Sequence, residues 1–390
     1  MPREYLIIGN STAGHFAVED IRKHDPEGNI TLVSREPHLA YSKVLLTHYI
    51  VGVDREQLFL ANDIYYHKKQ VNLLLGKSAI NLNADKQKIE LEGGEKLTYD
   101  LLLLATGSRP YYPKYIPSNV EGIIGLRTIE EAEYLKKKAK AGDKIVILGG
   151  GLVGVTLASA LKKIRVIPEL LVSSPHLLSQ IADDESAAMI KNRMTGSGIK
   201  IRTCVKVENV IVEKSKIKGV ILDDGSFINC DVLVVCKGIC PNVELLKDQF
   251  YGSGGLRVDR KMRTHISNVY AAGDVAETFD IVRRCFSITG SWVHAALQGR
   301  IAGSNMAGCE NLYRGSLSRN VLNVLGLPFI SIGVFNAPSN GDWEVECNRK
   351  GDCYSKHIYR NGLLAGAVLV GKVDSAGLLQ AEIRRNHAHL

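Results

Sequence analysis

Residues 5–14 read YLIIGNSTAG, and residues 145–154 read IVILGGGLVG. Each stretch combines a short apolar strand, a glycine-rich turn and the start of an apolar or alanine-rich helix. Glycines at these positions permit the tight turn and close packing of the helix on the strand. The helix N-terminus then offers free backbone N–H groups to a pyrophosphate. Two such turns in the correct context predict two dinucleotide sites in one chain.

The first turn departs from the usual G-x-G-x-x-G fingerprint at its middle position. Gly9 and Gly14 are in place, but Ser11 stands where a glycine normally lets the backbone approach the phosphate. A serine is small, and its hydroxyl could itself donate to phosphate. Glu36 lies 22 residues beyond Gly14, after the apolar run 30–33. An acid at that distance is expected to bind the ribose hydroxyls of an adenosine.

The second turn keeps all three glycines, at Gly149, Gly151 and Gly154. Its partner strand, residues 170–172, ends at Ser173 and Ser174, where an acid would be expected. Without that carboxylate nothing repels a 2′-phosphate, and Ser173, Ser174 and His176 could hydrogen-bond one. The turn therefore leaves NADH and NADPH equally open.

Length and composition fit this interpretation. The 390 residues have room for two or three domains, and 45% hydrophobic with 23% charged residues is typical of a globular protein. No apolar stretch approaches the ~18 residues that a membrane span needs, and the N-terminal residues show no signal-peptide pattern. We therefore expect a cytoplasmic protein with no membrane span.

The cysteines favour neither a disulfide framework nor a metal site. None of the eight precedes Cys204, and none forms a C-x-x-C pair; the closest spacing is Cys236 to Cys240. No bound metal is expected. We interpret Cys230 and Cys236 as small apolar residues of a buried strand, with a redox pair as the alternative.

The net charge is +8, from 49 basic and 41 acidic residues, with basic clusters at 136–138 and 283–284. A docking face for an acidic protein would have this character, and so would an ordinary solvated surface. No DNA- or RNA-binding motif accompanies the clusters, so nucleic acid is not expected as a partner.

Further motifs complete a recognisable order. Residues 101–110 read LLLLATGSRP, residues 238–242 read GICPN and residues 269–275 read VYAAGDV. With the two glycine turns, they resemble the FAD-dependent pyridine nucleotide-disulfide oxidoreductase superfamily over essentially the whole chain. The resemblance implies an oxidoreductase that binds FAD at the first turn and NADH or NADPH at the second.

The resemblance also implies the residues of both sites. Glu36 would bind the adenosine ribose and Asp274 the ribityl chain. Lys43 would be catalytic, because a cation beside the isoalloxazine stabilises the anionic reduced flavin; an exposed loop lysine is the alternative. Thr156 stands where many relatives have a glutamate beside the nicotinamide. The FAD site would comprise Gly9, Ser11, Thr12, Ala13, Gly14, Ser34, Arg35, Glu36, Lys43, Ala79, Ala105, Thr106, Gly107, Arg109, Gly273, Asp274 and Trp292. The NAD(P)H site would comprise Gly149, Gly151, Leu152, Val153, Gly154, Ser173, Ser174 and Gly238.

Two segments indicate the branch of the superfamily. Residues 36–46 read EPHLAYSKVLL and hold no thiol, although disulfide reductases of the superfamily carry reactive cysteines there or a C-x-x-C in the NADPH domain. We therefore expect no redox-active disulfide. This segment and residues 292–303, WVHAALQGRIAG, resemble the branch of NAD(P)H:rubredoxin oxidoreductases, related NADH oxidases and the flavin region of assimilatory nitrite reductases.

The fold implied is α/β, with two interleaved Rossmann-like domains of the glutathione-reductase type and a small α+β C-terminal domain. The FAD-binding domain would comprise residues 1–110 and 239–312, the NAD(P)H-binding domain 111–238 and the C-terminal domain 313–390. Alternating apolar residues in 328–334 and 363–370 predict that this last domain is β-rich before a final helix. Such a domain commonly lies at a dimer interface or over the flavin.

Three functions fit these observations. The favoured one transfers a hydride from NAD(P)H to FAD and delivers electrons to a small acidic iron–sulfur carrier such as rubredoxin, or to a partner subunit; we expect a homodimer or a subunit of a complex. The second is an NAD(P)H oxidase acting on dioxygen, peroxide or a small molecule. The third is an FAD-bearing structural or assembly subunit with a decayed NAD(P)H site, suggested by Ser11, Thr156 and Ser173.

Overall fold

The computed structural model describes residues 1–249, 254–339 and 341–387. Residues 1–110 form β1 (Glu4–Ile8), α1 (Thr12–His24), β2 (Asn29–Ser34), a 3₁₀ turn (Lys43–Leu45), α2 (Leu46–Ile50), a second 3₁₀ turn (Arg55–Leu58), α3 (Asp63–Lys68), β3 (Val71–Leu75), β4 (Ala79–Asn83), β5 (Lys88–Leu91), β6 (Lys96–Thr98), β7 (Leu101–Leu104) and β8 (Ser108–Pro110). Residues 111–238 form β9 (Ile123–Ile124), α4 (Ile129–Ala141), β10 (Ile145–Leu148), α5 (Leu152–Lys163), β11 (Glu169–Val172), α6 (Asp184–Gly196), β12 (Lys200–Thr203), β13 (Val207–Glu213), β14 (Lys216–Leu222), β15 (Phe227–Asn229) and β16 (Val232–Val235).

The chain continues with β17 (Ile239–Pro241), a 3₁₀ segment (Glu244–Gln249), β18 (Leu256–Arg257), β19 (Val269–Ala271), β20 (Ala276–Asp280), β21 (Cys285–Ile288) and α7 (Trp292–Met306). The C-terminal part forms β22 (Arg319–Val324), β23 (Leu327–Gly333), β24 (Trp343–Lys350), β25 (Cys353–Arg360), β26 (Leu363–Val370) and α8 (Ala376–His387). Residues 250–253, 340 and 388–390 of the predicted domains lie outside the described residues.

The first glycine turn follows β1, the middle strand of a parallel sheet of order β19-β7-β1-β2-β3. Its central strands are apolar along almost their whole length, as expected for a sheet covered on both faces. The strands share one direction, so Gly9, Ala105 and Ala272 follow β1, β7 and β19 at the same edge. Backbone hydrogen bonds from Ala105 N to Ile8 O (2.8 Å) and from Ala272 N to Leu104 O (3.1 Å) hold them side by side.

The second glycine turn follows β10, the middle strand of a second parallel sheet, of order β12-β11-β10-β16-β9. Smaller antiparallel sheets join the rest, including β4-β5-β6, β13-β14-β15 and the pair β8–β17. The strands of the first parallel sheet come from residues 1–110 and 239–312, and those of the second from 111–238. The predicted α/β class with two Rossmann-like sheets is confirmed, while the domain boundaries stay a prediction.

Glycine is required at two positions of each turn for the same physical reason. A Cβ on Gly14 would lie 2.0 Å from Gly9 O, and one on Gly154 would lie 2.1 Å from Gly149 O. Gly9 and Gly149 have φ values of +117° and +128°, a region that favours glycine. The turns therefore hold α1 and α5 tightly against their strands, with the helix N-termini at the carboxyl edge of each sheet.

Helices α1 and α7 cross at a close approach that also depends on glycine. A Cβ on Gly299 would lie 2.2 Å from Ala13 O, and one on Gly303 would lie 2.5 Å from Ala17 O. This contact packs the middle of α7 closely against the first half of α1.

The C-terminal domain is an antiparallel sheet of order β22-β23-β26-β25-β24, followed by α8. The predicted β-rich domain with a final helix is confirmed. The predicted alternation fails in β26, which is buried from residue 364 to 370. The reason is its central place in the sheet. Leu364 and Leu369 pack with Ile383 of α8, while Val368 and Val370 join the core that includes α5 and α6.

A buried carboxylate ties the C-terminal sheet to the second Rossmann-like unit. Asp183, which caps α6, accepts hydrogen bonds from Tyr354 Oη at 2.6 Å and Lys356 Nζ at 3.1 Å. Burial raises the pKa of this carboxyl, but hydrogen bonds from Ser186 and Tyr354 outweigh it, so the pKa lies below its ordinary value. The carboxylate is thus charged at neutral pH and fixes the orientation of the two units.

The α1–α7 contact generates the first prediction. We expect Gly299→Ala to destabilise the protein by about 1–3 kcal/mol, because the added methyl forces the two helices apart. The control is Gly377→Ala in α8, where a Cβ meets no atom within 4 Å. The midpoint of thermal unfolding measures both variants. An unchanged midpoint for Gly299→Ala would show that the helices can separate without cost.

Candidate functional site

A cavity of about 1070 Å³ opens at the carboxyl edge of the first parallel sheet. This is the position at which open α/β sheets bind ligands. Residues of both Rossmann-like units and of the C-terminal domain line it. The predicted FAD-site residues that line it are Gly9, Ser11, Thr12, Ala13, Ser34, Arg35, Glu36, Lys43, Ala79, Ala105, Thr106, Gly107, Arg109, Gly273, Asp274 and Trp292.

Some predicted residues do not face this cavity. Gly14 serves the packing of α1 on β1, as described above. Of the predicted NAD(P)H residues, Leu152 and Val153 line the cavity, and Thr156 lies with them. The other predicted NAD(P)H residues belong to the second turn and to the strand ends around it: Gly149, Gly151, Gly154, Ser173, Ser174 and Gly238.

The first turn has the donors that a pyrophosphate requires. Ser11 caps α1 without a side-chain hydrogen bond to the helix, so its hydroxyl is not used for capping. Asn10 accepts a hydrogen bond from Tyr66 Oη at 2.9 Å, while its buried Nδ2 has no partner among the described residues. An unpartnered buried amide donor is costly unless a ligand accepts from it. With the N-terminus of α1, these groups fit the diphosphate of a dinucleotide.

Glu36 and Lys43 are brought together in the cavity wall. Lys43 Nζ lies 2.7 Å from Glu36 Oε1 and 3.1 Å from the backbone oxygen of Arg127. Tyr41 donates its hydroxyl to the other oxygen of Glu36. Burial lowers the pKa of Lys43 although Glu36 opposes this shift, and burial raises the pKa of Tyr41, with Glu36 adding to it. The roles of Glu36 toward a ribose and of Lys43 toward an isoalloxazine stay predictions.

Asp274 is held by a residue that the sequence analysis missed. Arg127 Nη2 lies 2.5 Å from Asp274 Oδ2, and Ser108 Oγ donates to the same oxygen at 2.9 Å. Arg127 also donates to the backbone oxygen of Ser108 at 3.2 Å. It precedes the capping box Thr128–Glu131 of α4 and lies in no recognised motif, so only the fold could reveal its place.

Arg109 is anchored at the rim of the cavity. It donates to Glu244 Oε1 at 2.5 Å and to Asn242 Oδ1 at 2.9 Å. Asn242 in turn exchanges hydrogen bonds with Thr106, at 2.7 Å and 2.8 Å. The GICPN segment thus supports the loop that follows β7.

The C-terminal domain supplies one wall, which the sequence did not specify by residue. Its lining side chains are Leu317, Arg319, Asn320, Val321, Gln380 and Arg384. The charged members of this set, Arg319 and Arg384, are both cationic. No motif marks these positions, because they reach the cavity only through the docking of the C-terminal sheet.

The second turn also fits a dinucleotide. A Cβ on Gly151 would meet no atom within 4 Å, and its φ is −81°, so neither packing nor backbone strain requires glycine there. Gly151 is also the N-cap of α5 and offers no side-chain cap to that helix. Open space above a helix N-terminus is what a pyrophosphate needs. The open space at Gly151 is compatible with the predicted approach of a ligand to the backbone.

Two histidines beside the cavity are engaged within the protein. Nδ1 of His294 lies 2.7 Å from Tyr313 Oη, and its Nε2 lies 2.9 Å from Leu317 O. His15 is buried and lies 3.4 Å from Tyr66 Oη. Burial lowers the pKa of both imidazoles, so both are neutral at pH 7.

The cysteines differ widely in exposure, and Cys230 is buried between β15 and β16 of the second Rossmann-like unit. All eight cysteines are free, and burial raises the pKa of Cys230 to about 12. A thiol with that pKa stays protonated at neutral pH and is a poor nucleophile.

Among the described residues, no cluster of three or more His, Cys, Asp or Glu side chains could hold a metal ion. Within the same ranges, no helix is long and apolar enough to cross a membrane.

Comparison with known proteins agrees with this geometry. The family described as "Pyridine nucleotide-disulphide oxidoreductase" matches residues 3–299, and the "Rubredoxin NAD+ reductase C-terminal domain" matches residues 319–387. The first match spans more than half of the chain, so the chain belongs to the pyridine nucleotide-disulphide oxidoreductase family. The resemblance found in the sequence is confirmed.

Individual relatives match most of the chain. The chain is 31% identical to the NADH-dependent phenylglyoxylate dehydrogenase subunit epsilon of Aromatoleum evansii, over 98% of this chain and 91% of the relative. It is 29% identical to an NADH oxidase of Methanocaldococcus jannaschii, over 78% of this chain and 70% of the relative. The structure of an NAD-dependent persulfide reductase from A. fulgidus matches with a TM-score of 0.91 and 25% identity, over 98% of this chain and 77% of that structure's chain. The chain is therefore an oxidoreductase that uses FAD and a nicotinamide nucleotide.

The open space at Gly151 generates the second prediction. We expect Gly151→Val to retain bound FAD but to block reduction of the flavin by NADH and NADPH, because the branched side chain would occupy the place of the pyrophosphate. Anaerobic flavin absorbance measures the reduction. The control is Gly196→Val at the end of α6, where a Cβ also meets no atom within 4 Å. Reduction of Gly151→Val at the normal rate would show that the second turn is not the nucleotide site.

Proposed function

We propose that this member of the pyridine nucleotide-disulphide oxidoreductase family passes electrons from NAD(P)H, through FAD, to an acidic iron–sulfur carrier protein or to a partner subunit that carries such a centre. The oxidoreductase class is shown by the family. The protein acceptor is the proposal.

The observation that carries the proposal is the charge of the C-terminal wall. Arg319 and Arg384 are the charged side chains that this domain contributes to the cavity. The chain as a whole has a net charge of +8. A cationic rim steers an acidic protein toward the cavity and raises the rate of encounter. The match of residues 319–387 to the rubredoxin reductase C-terminal domain supports a carrier of the rubredoxin kind.

A partner subunit is supported by a different observation. The relative of Aromatoleum evansii is named as one subunit of a dehydrogenase, and the chain spans 91% of its length. A subunit interface could present an iron–sulfur centre at the same rim. Whether the acceptor is a carrier protein or a partner subunit, it would lie outside this chain and against the cavity wall formed by the C-terminal domain.

The chain's own residues bind and orient the cofactors. Bound FAD supplies the ability to accept a hydride and to release electrons. The first turn offers backbone N–H groups, the Ser11 hydroxyl and the Asn10 amide to the diphosphate. Arg127 and Ser108 hold the carboxylate of Asp274, which would bind the ribityl chain. We propose no acid–base pair, since His15 and His294 are neutral and engaged within the protein.

An NAD(P)H oxidase is the second candidate. The relative of Methanocaldococcus jannaschii is named as an NADH oxidase, and it is 29% identical to this chain over 78% of it. Dioxygen or a small molecule needs no cationic rim. Fast turnover without any protein partner would therefore favour this candidate over the carrier reductase.

The first test is an anaerobic titration of the FAD-loaded protein with NADH and, separately, with NADPH. We expect one of them to bleach the flavin absorbance band. A flavin that stays oxidised with both nucleotides would contradict the proposed function and favour an FAD-bearing subunit whose NAD(P)H site has decayed.

The acceptor is tested by salt dependence. With oxidised rubredoxin as the probe, we expect the turnover rate to fall as sodium chloride rises toward 0.5 M, because salt screens a charge-steered encounter. Ferricyanide reduction and oxygen consumption serve as reference reactions in the same buffers. A rubredoxin rate that is negligible beside the oxygen rate at every salt concentration would favour the oxidase.

Lys43 generates the third prediction. We expect Lys43→Met to lower the midpoint potential of bound FAD and to slow its reduction by about tenfold or more, because the variant removes a cation and leaves Glu36 uncompensated. Spectroelectrochemistry and stopped-flow absorbance measure the two effects. Lys68→Met, on the exposed surface of α3, is the control. An unchanged potential in Lys43→Met would mean that Lys43 does not act on the flavin.

A further inference from the structure

Three parallel strands end around the second glycine turn, and two polar side chains flank it. Leu148, the last residue of β10, pairs with Leu171 of β11 and with Val235 of β16. Gly149 N donates to Leu171 O at 2.9 Å, and Cys236 N donates to Leu148 O at 2.8 Å. Ser173 follows β11 and Lys237 lies two residues beyond the end of β16, so the two residues stand on opposite sides of the turn.

The lysine side chain crosses the turn. Lys237 Nζ donates to Ser173 Oγ at 2.8 Å, although the two residues follow strands β16 and β11, which are separated by β10. The ammonium group thus lies at the end of β11 and not at the end of its own strand. Ser173 holds the position at which an acid would bind the adenosine ribose of NADH. The ammonium group of Lys237 therefore lies beside the position where that carboxylate is missing.

The charge of Lys237 is not neutralised within the described part of the chain. Burial lowers the pKa of this half-buried lysine, and no carboxylate acts to raise it. Asp184, the first residue of α6, lies 3.3 Å from His176 Nε2. A partly desolvated cation without a carboxylate partner gains most from a ligand that brings negative charge.

We propose that Lys237 and Ser173 bind the 2′-phosphate of NADPH and make this chain prefer NADPH to NADH. The inference rests on the proposed function in that the second turn is taken as the nicotinamide nucleotide site. The 2′-phosphate carries a charge near −2 and three acceptor oxygens, whereas the 2′-hydroxyl of NADH is neutral. Lys237 therefore discriminates between the two nucleotides by charge.

A lysine over a glycine turn could instead contact the pyrophosphate. That contact would strengthen binding of NADH and NADPH equally, since both carry the same diphosphate. The position of Nζ beside Ser173, at the ribose end of the crevice, favours the 2′-phosphate. The two arrangements differ in whether the effect of the lysine depends on the 2′-phosphate.

The test uses two probes that differ in that group, 2′,5′-ADP and 5′-AMP, with the FAD-loaded protein and titration calorimetry. We expect the wild-type protein to bind 2′,5′-ADP about tenfold to a hundredfold more tightly than 5′-AMP, as a charge-assisted hydrogen bond allows. Lys237→Met should abolish this difference, and Lys237→Arg should retain most of it. Lys218→Met, on the exposed side of β14, is the charge-matched control.

A second variant keeps the proposal falsifiable if Lys237→Met folds poorly. Ser173→Asp leaves the lysine in place but adds a carboxylate beside it, and we expect it to remove the preference for 2′,5′-ADP. Equal affinity of the wild-type protein for the two probes would overturn the proposal. So would an equal loss of affinity for both probes in Lys237→Met, which would assign the lysine to the 5′-phosphate.

The binding measurement is independent of electron transfer. If neither NADH nor NADPH reduces the flavin while 2′,5′-ADP binds through Lys237, the proposed function fails and the nucleotide preference stands. If both nucleotides reduce the flavin and the two probes bind equally, the proposed function stands and the preference fails.

Discussion

The close approach of helices α1 and α5 to the glycines that precede them is the contact on which the rest of this structure depends. Gly14 lies against Gly9 O, and Gly154 lies against Gly149 O, with almost the same distance for a hypothetical Cβ, 2.0 and 2.1 Å. Any side chain there would push the helix away from its strand. The helix N-termini would then leave the sheet edges, and with them the anion-binding groups at both turns.

Charge within the cavity is arranged in pairs that join separate parts of the fold. Lys43 meets Glu36 inside the first unit, while Arg127 reaches from the start of α4 to Asp274 after β19. Ion pairs that are partly buried have fixed geometry, because each carboxylate would otherwise be desolvated without a partner. The cavity is therefore shaped by residues far apart in the chain, with its carboxylates already oriented.

The cavity wall that the C-terminal domain supplies has a different origin. The C-terminal sheet docks on α5 and α6 through an apolar core, and Asp183 locks it by accepting from Tyr354 and Lys356. That docking brings Arg319 and Arg384 to the cavity. The electrostatic character of the rim, on which the proposed acceptor depends, is thus set by a domain that contributes nothing to the dinucleotide turns.

The sequence by itself determined the two Rossmann-like units, their order and the carboxyl-edge position of the sites, because glycine spacing and apolar strands are local signals. It also determined that residues 36–46 carry no thiol. Only the tertiary structure decided which charges meet. The contact of Arg127 with Asp274 and that of Lys237 with Ser173 join segments that no local pattern connects. The burial of the Asn10 amide without a partner likewise depends on how the chain packs around it. Side-chain length and strand register decide such contacts, and both act through space and not along the chain.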